Sequence, residues 1–177
     1  MQIEEQLLEL PLAQYAYIRP EQLTFSEQVR DICEAECPRY GTTWACPPAV
    51  GTVEECREKC LSYEEGFLFT TFSEVPDIAN LEETLAYREG HEEITRQVCG
   101  IFKDQGVEVM ALSTESCSIC GQCSYPAGPC RHPEKMFPCV ESYGILVTDL
   151  AEKCGIEFMY GGNVVTWFSL LLFRSIL

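Results

Sequence analysis

Ile156-Glu157-Phe158-Met159-Tyr160-Gly161-Gly162-Asn163-Val164-Val165-Thr166-Trp167-Phe168-Ser169-Leu170-Leu171-Leu172-Phe173 is the stretch on which the fold class turns. Two runs rich in aromatic and branched aliphatic residues flank a Gly-Gly-Asn punctuation. That pattern predicts two strands, over 156–160 and 164–173, joined by a hairpin-type turn and paired antiparallel. The second run is apolar but only ten residues long. It is too short to span a bilayer and reads as a buried strand.

Working outward, strands and helices interleave. Tyr15 to Ile18 reads as a short strand closed by Pro20, Gly66 to Phe72 as a buried strand, and Val107 to Leu112 as a strand leading into a cysteine-rich loop. Thr24-x-x-Glu27 and Thr52-x-x-Glu55 fit capping boxes and predict helices from 24 to 37 and from 52 to 63. Pro38 stops the first, because the residue before proline resists helical dihedrals. Helices are also expected over 77–103, broken near Gly90, and over 142–153, stopped near Gly155. With the last pair antiparallel among interleaved elements, the expectation is α+β: one domain over residues 1–177, a mixed sheet flanked by helices, and cysteine-rich metal-binding loops in segments 33–60 and 117–139.

The chain carries 12 basic and 28 acidic residues, a formal charge of −16. Nucleic acid needs a basic footprint, so it is excluded as a partner; an anionic membrane surface is disfavoured for the same reason. A basic docking surface on a redox partner protein suits this charge, as does plain solubility. The acidic start Met1-Gln2-Ile3-Glu4-Glu5-Gln6 has no basic region before an apolar run, so a reducing cytoplasm is expected. There, twelve cysteines read as metal ligands rather than disulfides.

Cys117-x-x-Cys120-x-x-Cys123, followed by Cys130, has the spacing of an iron–sulfur site. A tight loop can wrap one side of a cubane and supply three thiolates, with the fourth from just downstream. A single zinc ion fits less well, because three donors from one short turn crowd one face of it. The six-residue gap before Cys130, and Arg131 in place of proline after it, make the motif a variant of the ferredoxin run.

A second group is Cys33, Cys37 and Cys46, the last inside a proline- and glycine-rich loop. Cys33 and Cys37 share a helix face at a four-residue step. Cys60 is the preferred fourth donor, ahead of Cys56, which sits in the first turn of its helix. The group reads as a second complete [4Fe–4S] site, as a three-ligand site with an open iron, as zinc, or as no metal site. Tyr40 stands where the radical-enzyme spacing needs a cysteine, which excludes that chemistry in its usual form. Cys99, Cys139 and Cys154 are isolated and read as small buried hydrophobes, with Cys139 the most tempting donor of the three.

The phrases Cys37-Pro38-Arg39-Tyr40-Gly41, Trp44-Ala45-Cys46-Pro47-Pro48 and Pro129-Cys130-Arg131-His132-Pro133-Glu134-Lys135 resemble an uncharacterised cysteine-rich family of predicted metal-binding proteins, a domain-of-unknown-function family. The resemblance runs nearly the full length. It implies that Cys33, Cys37, Cys46, Cys117, Cys120, Cys123 and Cys130 are the recurring ligands, and less for Cys56, Cys60 and Cys139. It implies metal binding, with iron–sulfur chemistry in an anaerobic microbe, and it supplies no reaction.

Around the sites, Arg131, His132 and Lys135 can balance an anionic cluster or form a solvated turn. Gly121 and Gly128 allow close backbone approach. Tyr125, Met136 and Phe137 can shield a cluster, though ordinary packing also explains them. Trp44 is expected to pack over the second cysteine group. His91, on the stripe Tyr87, His91, Ile94, Val98 and Ile101, is expected to be a hydrogen-bonded core residue. The function these features point to is one-electron transfer through one or two [4Fe–4S] clusters. The competing readings are an enzyme whose open iron takes a small molecule, and a zinc-stabilised binding module.

Overall fold

A computed structural model of the protein describes residues 3–176. Its centre is a four-stranded sheet of β1 (Gln14–Ile18), β2 (Glu65–Glu74), β3 (Val107–Leu112) and β4 (Val164–Ser175), in the order β1-β2-β4-β3. Six α-helices accompany it among the described residues: α1 (Ile3–Leu8), α2 (Glu27–Glu36), α3 (Val53–Leu61), α4 (Leu81–Ala86), α5 (Arg88–Lys103) and α6 (Val147–Cys154). The class is α+β. All three strand pairings are antiparallel, where a mixed sheet was expected.

The sheet is covered on both faces, and alternation along the strands sorts the side chains. Phe67, Phe69 and Leu171 point to one face and pack against Leu7 of α1 and Val98, Cys99 and Phe102 of α5. Leu68, Leu170 and Leu172 point to the other, against Cys56 and Cys60 of α3 and Leu150 and Ala151 of α6. A strand buried on both faces reads as a continuous apolar run, which is how β4 is written.

Residues 156–160 are not a strand. Strand β4 pairs with β2 from Val164 to Phe173 and with β3 from Leu170 to Ser175, and residues 156–160 join neither edge. The segment docks by side chains instead: Phe158 stacks on Phe168 at 5.2 Å and Tyr160 meets Phe72 at 5.7 Å. Helix boundaries shift for equally local reasons. Ser26, not Thr24, caps α2, accepting from the Gln28 amide at 3.2 Å. The capping box of Thr52 and Glu55 forms as expected. The break before α5 falls at Tyr87 rather than at Gly90. The helix expected from 142 is split by Gly144, whose left-handed φ of 77° and a would-be Cβ 2.9 Å from Val53 admit only glycine.

Strands β2 and β4 and helix α5 also enclose a polar network. His91 is buried, with Nδ1 2.8 Å from Thr71 Oγ1 and Nε2 2.8 Å from Ser169 Oγ. Ser169 continues to Thr95 at 2.8 Å and to Ser113 at 3.3 Å. Burial pulls the imidazole down from 6.5 to about 4, so it is neutral at pH 7. A histidine lowered on folding stabilises fully above its unfolded pKa and loses that contribution as pH falls from about 6.5 towards 4. The loss is on the order of 3 kcal/mol. His91→Gln is expected to flatten the dependence of unfolding free energy on pH in that window; parallel wild-type and variant curves would refute this.

Candidate metal centre

Strand β3 ends at Leu112, and the chain then leaves the sheet and returns at Cys139. The excursion is tied at its base: the Ser113 amide donates to Pro138 O at 2.8 Å, the Val140 amide donates to Ser113 O at 2.9 Å, and Ser113 and Cys139 form an isolated bridge. Within it, Cys117, Cys120, Cys123 and Cys130 all line one cavity, together with Trp44, Ile119, Arg131, His132 and Met136. All four thiols are half-buried. The loop has no regular secondary structure and is shaped by its own hydrogen bonds. Ser124 Oγ donates to Pro129 O at 2.6 Å, the Gly128 amide donates to Ser124 O at 2.9 Å, and Arg131 donates to Gln122 O.

Trp44 was expected over the second cysteine group and instead covers the first. Its Nε1 donates to Gly128 O at 3.0 Å, and its ring meets Tyr125 edge-on at 5.0 Å. Met136 lines the cavity, whereas Phe137 packs towards α5 beneath Arg96. Arg131 and His132 line the cavity and Lys135 does not. A Cβ on Gly121 or Gly128 would meet no protein atom within 4 Å, so packing alone does not demand glycine there.

The residue that sequence reasoning missed is Arg88, the first of α5. It is buried, and it donates to the carbonyls of Ser116 and Thr114 (the latter at 3.4 Å) and to Ser118 Oγ at 2.5 Å. Its charge is met by Glu92 at 3.6 Å, with side chains 5% and 7% exposed. Arg88 thus fixes both neighbours of Cys117 and sets a cation beside it. Burial raises the Cys117 thiol, with Glu92 adding to the rise and Arg88 opposing it.

A second cavity is lined by Cys33, Cys37, Cys46 and Cys139, with Arg39, Ser116, Glu115 and Glu141 also on its wall. Burial pushes Cys33 up to about 11, and the adjacent Cys37 and Cys46 push it further in the same direction. Cys60, expected as the fourth donor here, does not face these residues. It is fully buried with Cys56 in the core against β2 and β4, where desolvation lifts its thiol to about 12. Glu115, on the wall of the second cavity, is the one non-glycine residue with a left-handed backbone, φ 57°, among the described residues.

Among the described residues, no three His, Cys, Asp or Glu side chains converge closely enough to hold a single ion. The thiols stand around spaces. Comparison with protein families matches residues 16–173 to the predicted metal-binding protein family DUF2284. The chain belongs to that family. The match takes in both cysteine groups and all four strands save the first two and last two residues of the sheet, so metal binding is the family-level property. Neither the curated proteins nor the solved structures give a match. No helix is long and apolar enough to cross a membrane among the described residues.

Proposed function

We propose that this DUF2284 protein is a one-electron carrier that holds a [4Fe–4S] cluster on Cys117, Cys120, Cys123 and Cys130. The observation that carries the reading is the gathering of these four thiols on one cavity wall with Trp44, Ile119 and Met136. The donor set fits the group: four thiolates are what a cubane takes, and a CxxCxxC turn supplies three to one side of it. When bound, the cluster accepts one electron from a donor and passes it to an acceptor, with no bond made or broken in the polypeptide.

The chain's own residues do the rest. Trp44, Ile119 and Met136 limit water at the cavity, and limiting water shifts a cluster's potential. Arg88 and Arg131 place positive charge close to a thiolate-bound anion, which favours the reduced state, the more negative one. A chain of net charge −16 suits docking onto a basic patch of a redox partner, with a salt-sensitive rate of encounter.

Protein purified without oxygen is expected to be brown, to contain iron and acid-labile sulfide, and to bleach reversibly on chemical reduction. A colourless protein with stoichiometric zinc, or a metal centre without redox change, would end this reading.

A further inference from the structure

The second cavity raises a question that Cys33, Cys37 and Cys46 leave open: what completes it. Cys139 lines the same wall as those three, and Cys60 does not. The position of Cys139 follows from the fold. Its bridge to Ser113 fixes its backbone, and its Sγ accepts from the Ser142 amide at 3.3 Å. An amide aimed at sulfur is the bond that a metal thiolate uses to spread its charge.

Helix α2 supplies a second, independent observation. It carries Val29, Ile32 and Cys33 on the wall of the cavity, yet no residue of this ten-residue helix is buried. Ile32 is 58% exposed. An amphipathic helix is normally held by its apolar face. This one is held from one side by Arg30, whose guanidinium donates at 2.7 Å to Gly51 O and at 2.7 Å to Ser142 O. The anchor ties α2 to the same short turn that positions Cys139. This exposed face of α2 lies beside the cavity that the four thiols line.

The remaining donor is set just as firmly. The Gly41 amide donates to Pro47 O at 2.7 Å and closes the loop that presents Cys46. Cys46 Sγ lies 3.2 Å from Ser116 Oγ, and Ser116 is also 3.2 Å from Thr43 Oγ1. Because Ser116 is the residue before Cys117, the two cavities adjoin through one side chain and one peptide unit.

From these observations we infer that Cys33, Cys37, Cys46 and Cys139 form a second four-thiolate site, that it holds a second [4Fe–4S] cluster beside the first, and that Cys139 is its fourth ligand. This rests on the iron–sulfur reading of the first site. The side-by-side placement makes the protein a two-centre relay, with Ser116 between the centres.

Iron and sulfide per chain, measured on full-length protein reconstituted without oxygen, test the inference. The wild type is expected to hold about eight iron atoms, and Cys139→Ala and Cys33→Ala about four each. Cys60→Ala is expected to keep about eight, because its thiol lies in the apolar core. Paramagnetic resonance of the reduced wild type should show coupling between two centres, replaced by a simple single-centre signal in Cys139→Ala. Should Cys139→Ala fold poorly, Cys33→Ala, on the half-buried face of α2, reports the same halving. Unchanged iron in Cys139→Ala, or a Cys60→Ala that loses half its iron, overturns the assignment of the fourth ligand. About four iron atoms in the wild type, lost on Cys120→Ala, overturns the second site while sparing the first. A wild type without iron overturns both.

Discussion

Cys120→Ala is expected to abolish the four-thiolate centre of the 113–139 loop while leaving the sheet folded. Cys120 sits mid-motif on the cavity wall, next to the exposed Gly121 and Gln122, and it makes no side-chain hydrogen bond among the described residues. The loop adds little to the cores beneath it; Phe137 is its main contribution. The sheet is therefore expected to keep its circular dichroism. The loop, without its cross-link, should become the preferred site of limited proteolysis, because exposed backbone with few apolar contacts opens easily. Iron should fall by about four atoms per chain, and the associated visible absorption should go with it. Iron and reduced-state spectra that match the wild type would show that Cys120 is not a ligand.

Arg88→Met is expected to cost about 3 kcal/mol of stability and to loosen the first site as well. Methionine fills much of the space of the arginine stem but leaves three things behind. Glu92, 7% exposed, would keep only Arg96, at 3.3 Å, as a cation. The carbonyls of Thr114 and Ser116 would lose their shared donor, as would Ser118 Oγ. Glu92 is the buried group among them, and a weakened pairing there carries its own desolvation penalty. Arg88→Lys should recover only part, because a point-like ammonium cannot serve carbonyls, hydroxyl and carboxylate as a planar fork does. Denaturant midpoints and the rate of iron release to a chelator measure the two effects. An Arg88→Met protein within about 0.5 kcal/mol of the wild type, with iron retained, would remove Arg88 from the role assigned to it.

The four strands were legible because each is a compact run of apolar and β-branched residues, and the α3 cap was legible because Thr52 and Glu55 sit three apart. The strand expected over 156–160 did not form: β4 takes the distant β2 and β3 as its partners, and the segment's aromatic residues pack on Phe168 and Phe72 instead. The grouping of Cys117, Cys120, Cys123 and Cys130 was legible because they are neighbours in the chain, and one cavity is lined by the four that spacing named. The second was half-legible. A helical step shows that Cys33 and Cys37 point together, but nothing in spacing shows that Ser113 pairs with Cys139 and brings its thiol to them. Cys60 was a reasonable candidate on the same four-residue logic, yet that step only shows that Cys56 and Cys60 share a face, and the face is turned into the core. Arg88 gave no signal, since its contacts with Ser116 and Ser118 span 28 and 30 positions and recognise backbone and hydroxyl rather than a motif.

Strand β4, which lies between β2 and β3 in the sheet, follows all twelve cysteines. During synthesis, which proceeds from the amino end, every thiol therefore leaves the ribosome before β2 and β3 can be joined. For that interval the sulfurs are unshielded and open to oxidation. The exposure of its sulfurs to oxidants is therefore set by the order of its strands as well as by the finished fold.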